Sequence, residues 1–287
     1  LSIPRRRLLF STGVLAAAAV GGALLWPRPD RSLATIRANG AIRIGYAVEA
    51  PFAFIERGAV TGESPEVARR IVSALGIPRI EWVQSSFDAL LSGLEENRFD
   101  VVAAGMFITR ERAQRVAFSE PTFHVQEGLL VRKGNPRQLH SYESAAADTQ
   151  ARLVALSGSV EQSALRALGV AAARLMSVPD AATGLAAVES GAADALALSS
   201  LTIRWMAMHE PLQDSEPAQP FTQSLRARLT GFGGFAFRRE DRELMQAWNA
   251  AQRQFVGSPE HVALIARFGF SVEELPGATS TVQIVSQ

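Results

Sequence analysis

The sequence predicts an α/β protein of two lobes, each a mostly parallel sheet flanked by helices, and three observations carry that expectation. Short apolar runs alternate with amphipathic helical stretches from Ala41 onward, the order that yields parallel strands joined by crossover helices. The alternation occurs twice, on either side of the break Lys133-Gly134-Asn135-Pro136. At 287 residues and 47% hydrophobic content, the chain is long enough to bury a core in each half.

Taken in order, Ala41 to Ala47 reads as the first strand, and Ser64-Pro65-Glu66 opens a helix with Ser64 as N-cap and Pro65 in the first helical position. Strands follow near Ile80–Val83, Val101–Ala104 and Gly128–Val131. After the break come a strand near Leu153–Leu156 and a helix opened by a capping box of Ser159 and Gln162. A strand near Leu175–Val178, a helix over Ala181–Glu189 and a strand near Ala195–Leu198 complete the second block. The polar, proline-rich stretch Glu210–Pro220 reads as a surface loop. Gly233-Gly234-Phe235-Ala236-Phe237 is a fresh strand. Beyond it, Leu244, Trp248, Ala251, Phe255, Val262, Ile265 and Phe268 recur at helical spacing and need a partner surface, which the first block can supply.

Composition removes several function classes. The formal net charge is +1, Lys133 is the sole lysine, and the arginines are spread along the chain rather than gathered in a stripe, so nucleic acid is not an expected partner. No cysteine is present, which excludes disulfides, thiolate metal sites, a cysteine nucleophile and a lipid anchor on cysteine. His124, His140, His209 and His261 lie too far apart in sequence to suggest a metal site, and neither metal nor cofactor is expected. At the N-terminus, Pro4-Arg5-Arg6-Arg7-Leu8-Leu9 precedes an apolar run to Trp26. A positive segment followed by such a run reads as an export signal of the general secretory or twin-arginine type over residues 1–30. The run approaches the ~20 residues that span a bilayer, so both a cleaved leader and a retained anchor are consistent with it. Either way the protein is expected in the periplasm.

The most informative stretch runs from Phe87 to Pro121. It sets Arg112 in the first turn of a short helix directly after a buried strand, where a guanidinium beside free backbone N–H groups can clamp an anion. The run Gly105-Met106-Phe107-Ile108-Thr109 followed by Arg112 resembles the carboxylate-binding segment of solute-binding proteins of bacterial ABC importers, in the polar amino acid family. The resemblance covers Leu33 to Thr279 and implies a type II periplasmic binding fold. Lobe I would be discontinuous, from 31–132 and 233–287, and lobe II would occupy 133–232. Two crossing strands, matching Glu127–Arg132 and Gly233–Arg238, would form the hinge. Implied partners are a small solute and the transmembrane subunits of an ABC permease, with the binding protein itself a monomer.

Phe52, Phe87 and Phe107 each follow the C-terminal end of a strand in the first block, so the topology aims their loops at one cleft. With Glu49 and Arg112 they make two opposite charges around aromatic rings, a site for a zwitterion whose cation is delocalised. Each residue also has a plainer reading: a phenylalanine near a strand end can be core, Glu49 a solvated loop carboxylate, Arg112 part of a charged face with Arg110 and Arg115. A closer resemblance, to ectoine and hydroxyectoine binding proteins, rests on Val48-Glu49-Ala50-Pro51-Phe52, Gly62-Glu63-Ser64-Pro65-Glu66-Val67-Ala68, Ala104 to Thr109, Ser258-Pro259-Glu260-His261 and Phe268-Gly269-Phe270. It implies that the acid matching Glu49 meets the ring nitrogens, that the aromatics enclose the ring near Gly105, and that the arginine takes the carboxylate. Many amino acid binders of the family carry an aspartate at the end of the last lobe II strand; here that position is Ser199, which leaves a primary ammonium without a charged partner. Lobe II is expected to add softer contacts from Ser157, Ser159 and the helix after them. The alternatives are a binder of another amino acid or an opine-like solute, an enzyme similar to cyclohexadienyl dehydratases, or a sensory input module. No Ser-His-Asp set stands out, and a binding protein rather than an enzyme is expected.

Overall fold

The computed structural model describes residues 30, 32–223 and 231–286. The export segment expected over residues 1–30 therefore lies outside the described residues, its last position excepted.

The first block runs α1 (Ser32–Asn39), β1 (Ala41–Tyr46), a hairpin of β2 (Phe54–Glu56) and β3 (Ala59–Thr61), α2 (Glu63–Ala74), β4 (Arg79–Gln84), α3 (Leu90–Glu95), β5 (Val101–Val102), α4 (Arg110–Arg115), β6 (Ala117–Phe118) and β7 (Phe123–His124). The second runs β8 (Glu127–Arg132), α5 (Tyr142–Ala147), β9 (Leu153–Leu156), α6 (Val160–Ala167), β10 (Leu175–Val178), α7 (Ala181–Glu189), β11 (Ala195–Ser199), α8 (Ser200–His209) and β12 (Ser215–Pro217). The chain then returns through β13 (Phe232–Gly233) and β14 (Ala236–Phe237) into α9 (Arg242–Phe255), α10 (Pro259–Ala266) and α11 (Thr281–Val285).

Two five-stranded sheets result, in the orders β4-β1-β5-β14-β6 and β10-β9-β11-β8-β12. Their plans match: in each, three parallel strands are followed by two antiparallel pairings. Four of the five strands in each sheet therefore share a direction, and the sheets are mostly parallel as expected, mixed only by β14 in one and β8 in the other, each running against both of its neighbours.

Alternation along the strands puts a core on each face. Val101 packs with Ile42, Ile44, Ile71 and Trp248, whereas Val102 packs with Leu90, Leu94, Phe99 and Ala236. In the second sheet Leu129, Leu153 and Ala195 face one cluster, and Leu130, Val154 and Leu196 the other. The C-terminal stripe finds the partner expected of it. Leu244, Trp248, Ile265 and Phe268 bury with Ile71 of α2, and the Trp248 ring lies 4.9 Å from Phe235 and 5.5 Å from Phe237.

Several local readings are corrected. Helix α2 starts one residue before its expected cap: Gly62, at φ 120°, occupies the N-cap with no side-chain bond, and Ser64 is already helical. The Ser64 hydroxyl donates to Glu63 Oε2 at 2.7 Å and accepts from the Gly105 amide at 3.0 Å, so it serves tertiary structure instead. Ser159 does cap α6 by accepting from the Gln162 amide at 3.1 Å. The Gln162 side chain, however, accepts from the Gly158 amide at 3.2 Å and donates to Ser177 at 2.8 Å, so the reciprocal half of the box is absent. Within the expected loop Glu210–Pro220, Ser215–Pro217 pairs with β8 as an edge strand, where a proline is tolerated because one side of the ladder is open. The fresh strand over Gly233–Phe237 is two short pieces, β13 and β14. Of the expected hinge strands, Glu127–Arg132 is β8 of the second sheet, and Gly233–Arg238 spans parts of β13 and β14, with β13 pairing β7 (Gly233↔Phe123) in a separate two-stranded ladder. The register shifted because sequence shows where apolar runs are and not which backbone edge each one will find.

Candidate functional site

The loop after β1 is closed on itself: the Glu49 amide donates to the Ala53 carbonyl at 2.7 Å and the Ala53 amide returns to the Glu49 carbonyl at 3.0 Å. That ring turns Phe52 inward, to 2% exposure, and leaves the Glu49 carboxylate aimed into the cleft. The loop after β5 is held from two sides. The Gly105 amide is bonded to Ser64, the Ile108 amide donates to the Phe232 carbonyl at 2.8 Å, and the Gly234 amide donates to the Met106 carbonyl at 3.1 Å. Gly105 has φ +63°, and a Cβ there would fall 2.4 Å from the Phe52 ring, so the close approach of loop and ring requires glycine.

Thr109 caps α4 through the Arg112 amide at 3.1 Å, which fixes the base of the arginine side chain. The guanidinium donates to the Phe107 carbonyl at 2.7 Å and, across the cleft, to the Gly158 carbonyl at 3.0 Å. Its carbon sits 5.4 Å from the centre of the Phe87 ring. Among the described residues no carboxylate lies within ion-pair distance of Arg112. Although Arg112 keeps some exposed surface, its head is withdrawn from water, and that desolvation lowers its pKa to about 10 against the opposing pull of Glu161 and Glu111.

These loops meet over a narrow cavity of about 20 Å³. Glu49, Phe52, Phe87, Gly105, Phe107, Arg112 and Ser159, all candidates on sequence grounds, line it. Ser157 and Ser199 do not. Ser157 Oγ donates to Asp88 across the cleft at 3.1 Å, and Ser199 caps α8 by accepting from the Thr202 amide at 3.1 Å. Ser199 still acts at one remove, because its hydroxyl is paired with Thr202 Oγ1 at 3.0 Å and that oxygen donates to Glu49 at 3.0 Å.

The aromatic candidates divide. Phe52 is packed edge-on to Phe107 and Phe270 and tilted against Phe123, so it is a core ring that shows one edge to the cavity. Phe87 is the platform on which the guanidinium rests. Phe107, partly exposed, lines the cavity as well and meets Phe52 and Phe123 edge-on.

Leu156, Val160, Glu161 and Leu198 line the cavity too and were not anticipated from sequence. Glu161 is the consequential one. It is the second residue of α6, buried to 7% exposure, a place that reads in sequence as a carboxylate complementing a helix N-terminus. Burial pushes its pKa up, partly offset by hydrogen bonds from its own amide and the Ser159 hydroxyl and by the Arg112 charge. Glu49 is raised to about 8, first by burial and then by the Glu161 charge, with the Thr202 bond opposing. The cavity therefore offers an apolar body, a guanidinium at one side and two carboxylates that ionise reluctantly until a cation arrives.

Behind Phe52 lies a further buried acid. Glu63, with no exposed surface, has a pKa raised to about 7 by burial, opposed by hydrogen bonds from Ser64 and Thr122.

Comparison with known proteins agrees with the fold and bears on the site. The family of bacterial extracellular solute-binding proteins, family 3, matches residues 42–271. A probable amino-acid ABC transporter periplasmic-binding protein, y4tE, of Sinorhizobium fredii strain NGR234 is 34% identical over 257 residues, covering 87% of this chain and 84% of that protein. The membrane-bound lytic murein transglycosylase F of Maricaulis maris is 31% identical over 71% of this chain but only 46% of its own length. Among solved structures, EhuB in complex with hydroxyectoine superposes with a TM-score of 0.82 at 29% identity, covering 90% of this chain and 99% of that one. A mutant of ArgBP from T. maritima gives 0.73 at 25%, covering 83% and 99%.

Proposed function

We propose, because the chain belongs to the bacterial extracellular solute-binding proteins, family 3, that it binds a small zwitterionic carboxylate in the periplasm, ectoine or hydroxyectoine foremost, and delivers it to the transmembrane subunits of an ABC importer. One observation carries the reading: Arg112 and Glu49 face a single closed cavity walled by phenylalanine rings. A carboxylate on Arg112 and a delocalised cation near Glu49 satisfy both charges, while ring faces and edges accept the apolar body. The structural likeness to a protein holding hydroxyectoine points the same way. Closure of the two lobes about the β7 and β13 ladder is part of the proposal. We read the site as one for binding rather than turnover, with the acids that line it as partners of a cation.

Calorimetric titration with ectoine, hydroxyectoine, glycine betaine, proline, arginine and glutamate tests the proposal. Tight binding of ectoine or hydroxyectoine is expected. Tight binding of glutamate with no response to either ectoine would overturn it while leaving the solute-binding fold intact.

A further inference from the structure

Three charged groups line the cavity, and their count is unequal. Glu49 and Glu161 are both carboxylates, and Arg112 is the one cation. If Glu161 were the built-in counter-ion of Arg112, the two would be in contact, yet the guanidinium spends its donors on the carbonyls of Phe107 and Gly158. Glu161 instead stands in the first turn of α6 on the lobe II wall of the cavity, buried to 7% exposure. Glu49 stands on the lobe I wall, fixed by Thr202. The other charged or ionisable groups close enough to sense Glu161 are Arg112, Glu127 and Tyr142.

We infer that Glu161 is a specificity-determining residue, a second carboxylate that meets the solute's cationic group from the lobe opposite Glu49, and that the pair selects cations with N–H donors on two sides. Amidinium and guanidinium carboxylates fit that description. A quaternary ammonium has no N–H to give either acid, and an acidic amino acid brings a further carboxylate to a cavity that holds two acids and a single cation. The inference rests on the proposed binding of a zwitterion in this cavity, and it adds the lobe II half of the recognition.

The test is calorimetry on Glu161→Gln and Glu161→Asp beside the wild type, using ectoine, arginine, glycine betaine and glutamate as probes, with melting temperatures recorded for each protein. Glu161→Gln is expected to weaken the N–H cation by roughly ten- to a hundredfold. Glycine betaine should change far less, glutamate should be better tolerated, and Glu161→Asp should recover part of the loss. Unchanged or tightened binding of ectoine and arginine in a normally melting Glu161→Gln protein would overturn the inference and assign Glu161 to balancing Arg112. A wild type that binds arginine and ignores ectoine fails the proposed solute but still tests Glu161, with arginine as the probe. A wild type that binds no cationic carboxylate overturns both.

Discussion

Arg112 illustrates how much one side chain carries here. With its head desolvated and lining the cavity, Arg112→Ala is expected to abolish solute binding, a loss of about 3 to 5 kcal/mol when one partner of a desolvated pair is removed. Circular dichroism should be unchanged, and retained affinity would remove Arg112 from the site. The aromatic residues should not respond alike. Phe107→Ala should cost about 1 to 3 kcal/mol of affinity with little loss of stability. Phe52→Ala should lower both, because that ring fills core among Phe107, Phe123 and Phe270. Equal melting temperatures for the two variants would contradict that division. Glu49 supplies a pH dependence: held near 8 in the empty cavity, it must lose its proton to pair with a cation. Affinity should therefore rise with pH and level off above about 8, falling below it by at most about tenfold per unit. Titrations in buffers of different ionisation enthalpy should register proton release, and Glu49→Gln should remove it.

Among the elements, the loop after β5 shows how backbone geometry and site geometry are coupled. Ser64 joins Glu63 to the Gly105 amide, so the start of α2 positions the loop that carries Phe107. Ser64→Ala would strand a buried amide and is expected to cost about 1 to 3 kcal/mol of stability, with weakened binding, in chemical denaturation and titration. Gly105→Ala should be worse, since its Cβ would collide with Phe52 and the residue would be held at positive φ. A Gly105→Ala protein with native affinity would show that the loop can yield. Helix α8 is the other element with a dual role. Ile203 and Met206 bury against the second sheet, whereas Leu201 joins the core of the first, Trp205 lies 5.5 Å from Phe54, and Arg204 pairs with Glu274 at 2.8 Å.

Across the whole molecule those contacts belong to a closed cleft. Thr202 to Glu49, Arg112 to Gly158 and Ser157 to Asp88 all cross it. A solute touching both walls binds this arrangement better than an open one and shifts the population toward it. Small-angle scattering should record compaction on adding saturating solute, and Trp205→Ala should enlarge the empty protein. Identical radii with and without solute, in both proteins, would count against hinge closure. Empty-state stability should also depend on pH in a defined sense. Glu49 and Glu63 have folded pKa values of about 8 and about 7, above the ordinary 4.5. Their contribution is fully present below pH 4.5 and is lost as pH rises through 7 and 8. Melting temperature without solute should accordingly fall between pH 5 and pH 8, and Glu49→Gln with Glu63→Gln should flatten the fall.

The sequence by itself determined the alternation of strands and helices, the two blocks, the buried C-terminal stripe and the lobe I wall of the site. Each of these is written locally, in the period of apolar residues or in the position of a side chain just past a strand, and local patterns survive folding because burial enforces them. Glu49, Phe52, Phe87, Phe107 and Arg112 could be placed past strand ends in the same way, but the family resemblance, and not the pattern alone, made them candidates over core or solvated loop positions. Tertiary structure alone decided the rest: that β8 and β14 run against their sheets, that Ser215–Pro217 becomes an edge strand, that Ser64 reaches Gly105, and that Glu161 looks across at Glu49. Those facts depend on which distant backbone edge or cavity wall a residue meets. A carboxylate in the first turn of a helix looks the same in sequence whether it faces solvent or a second carboxylate 112 positions away.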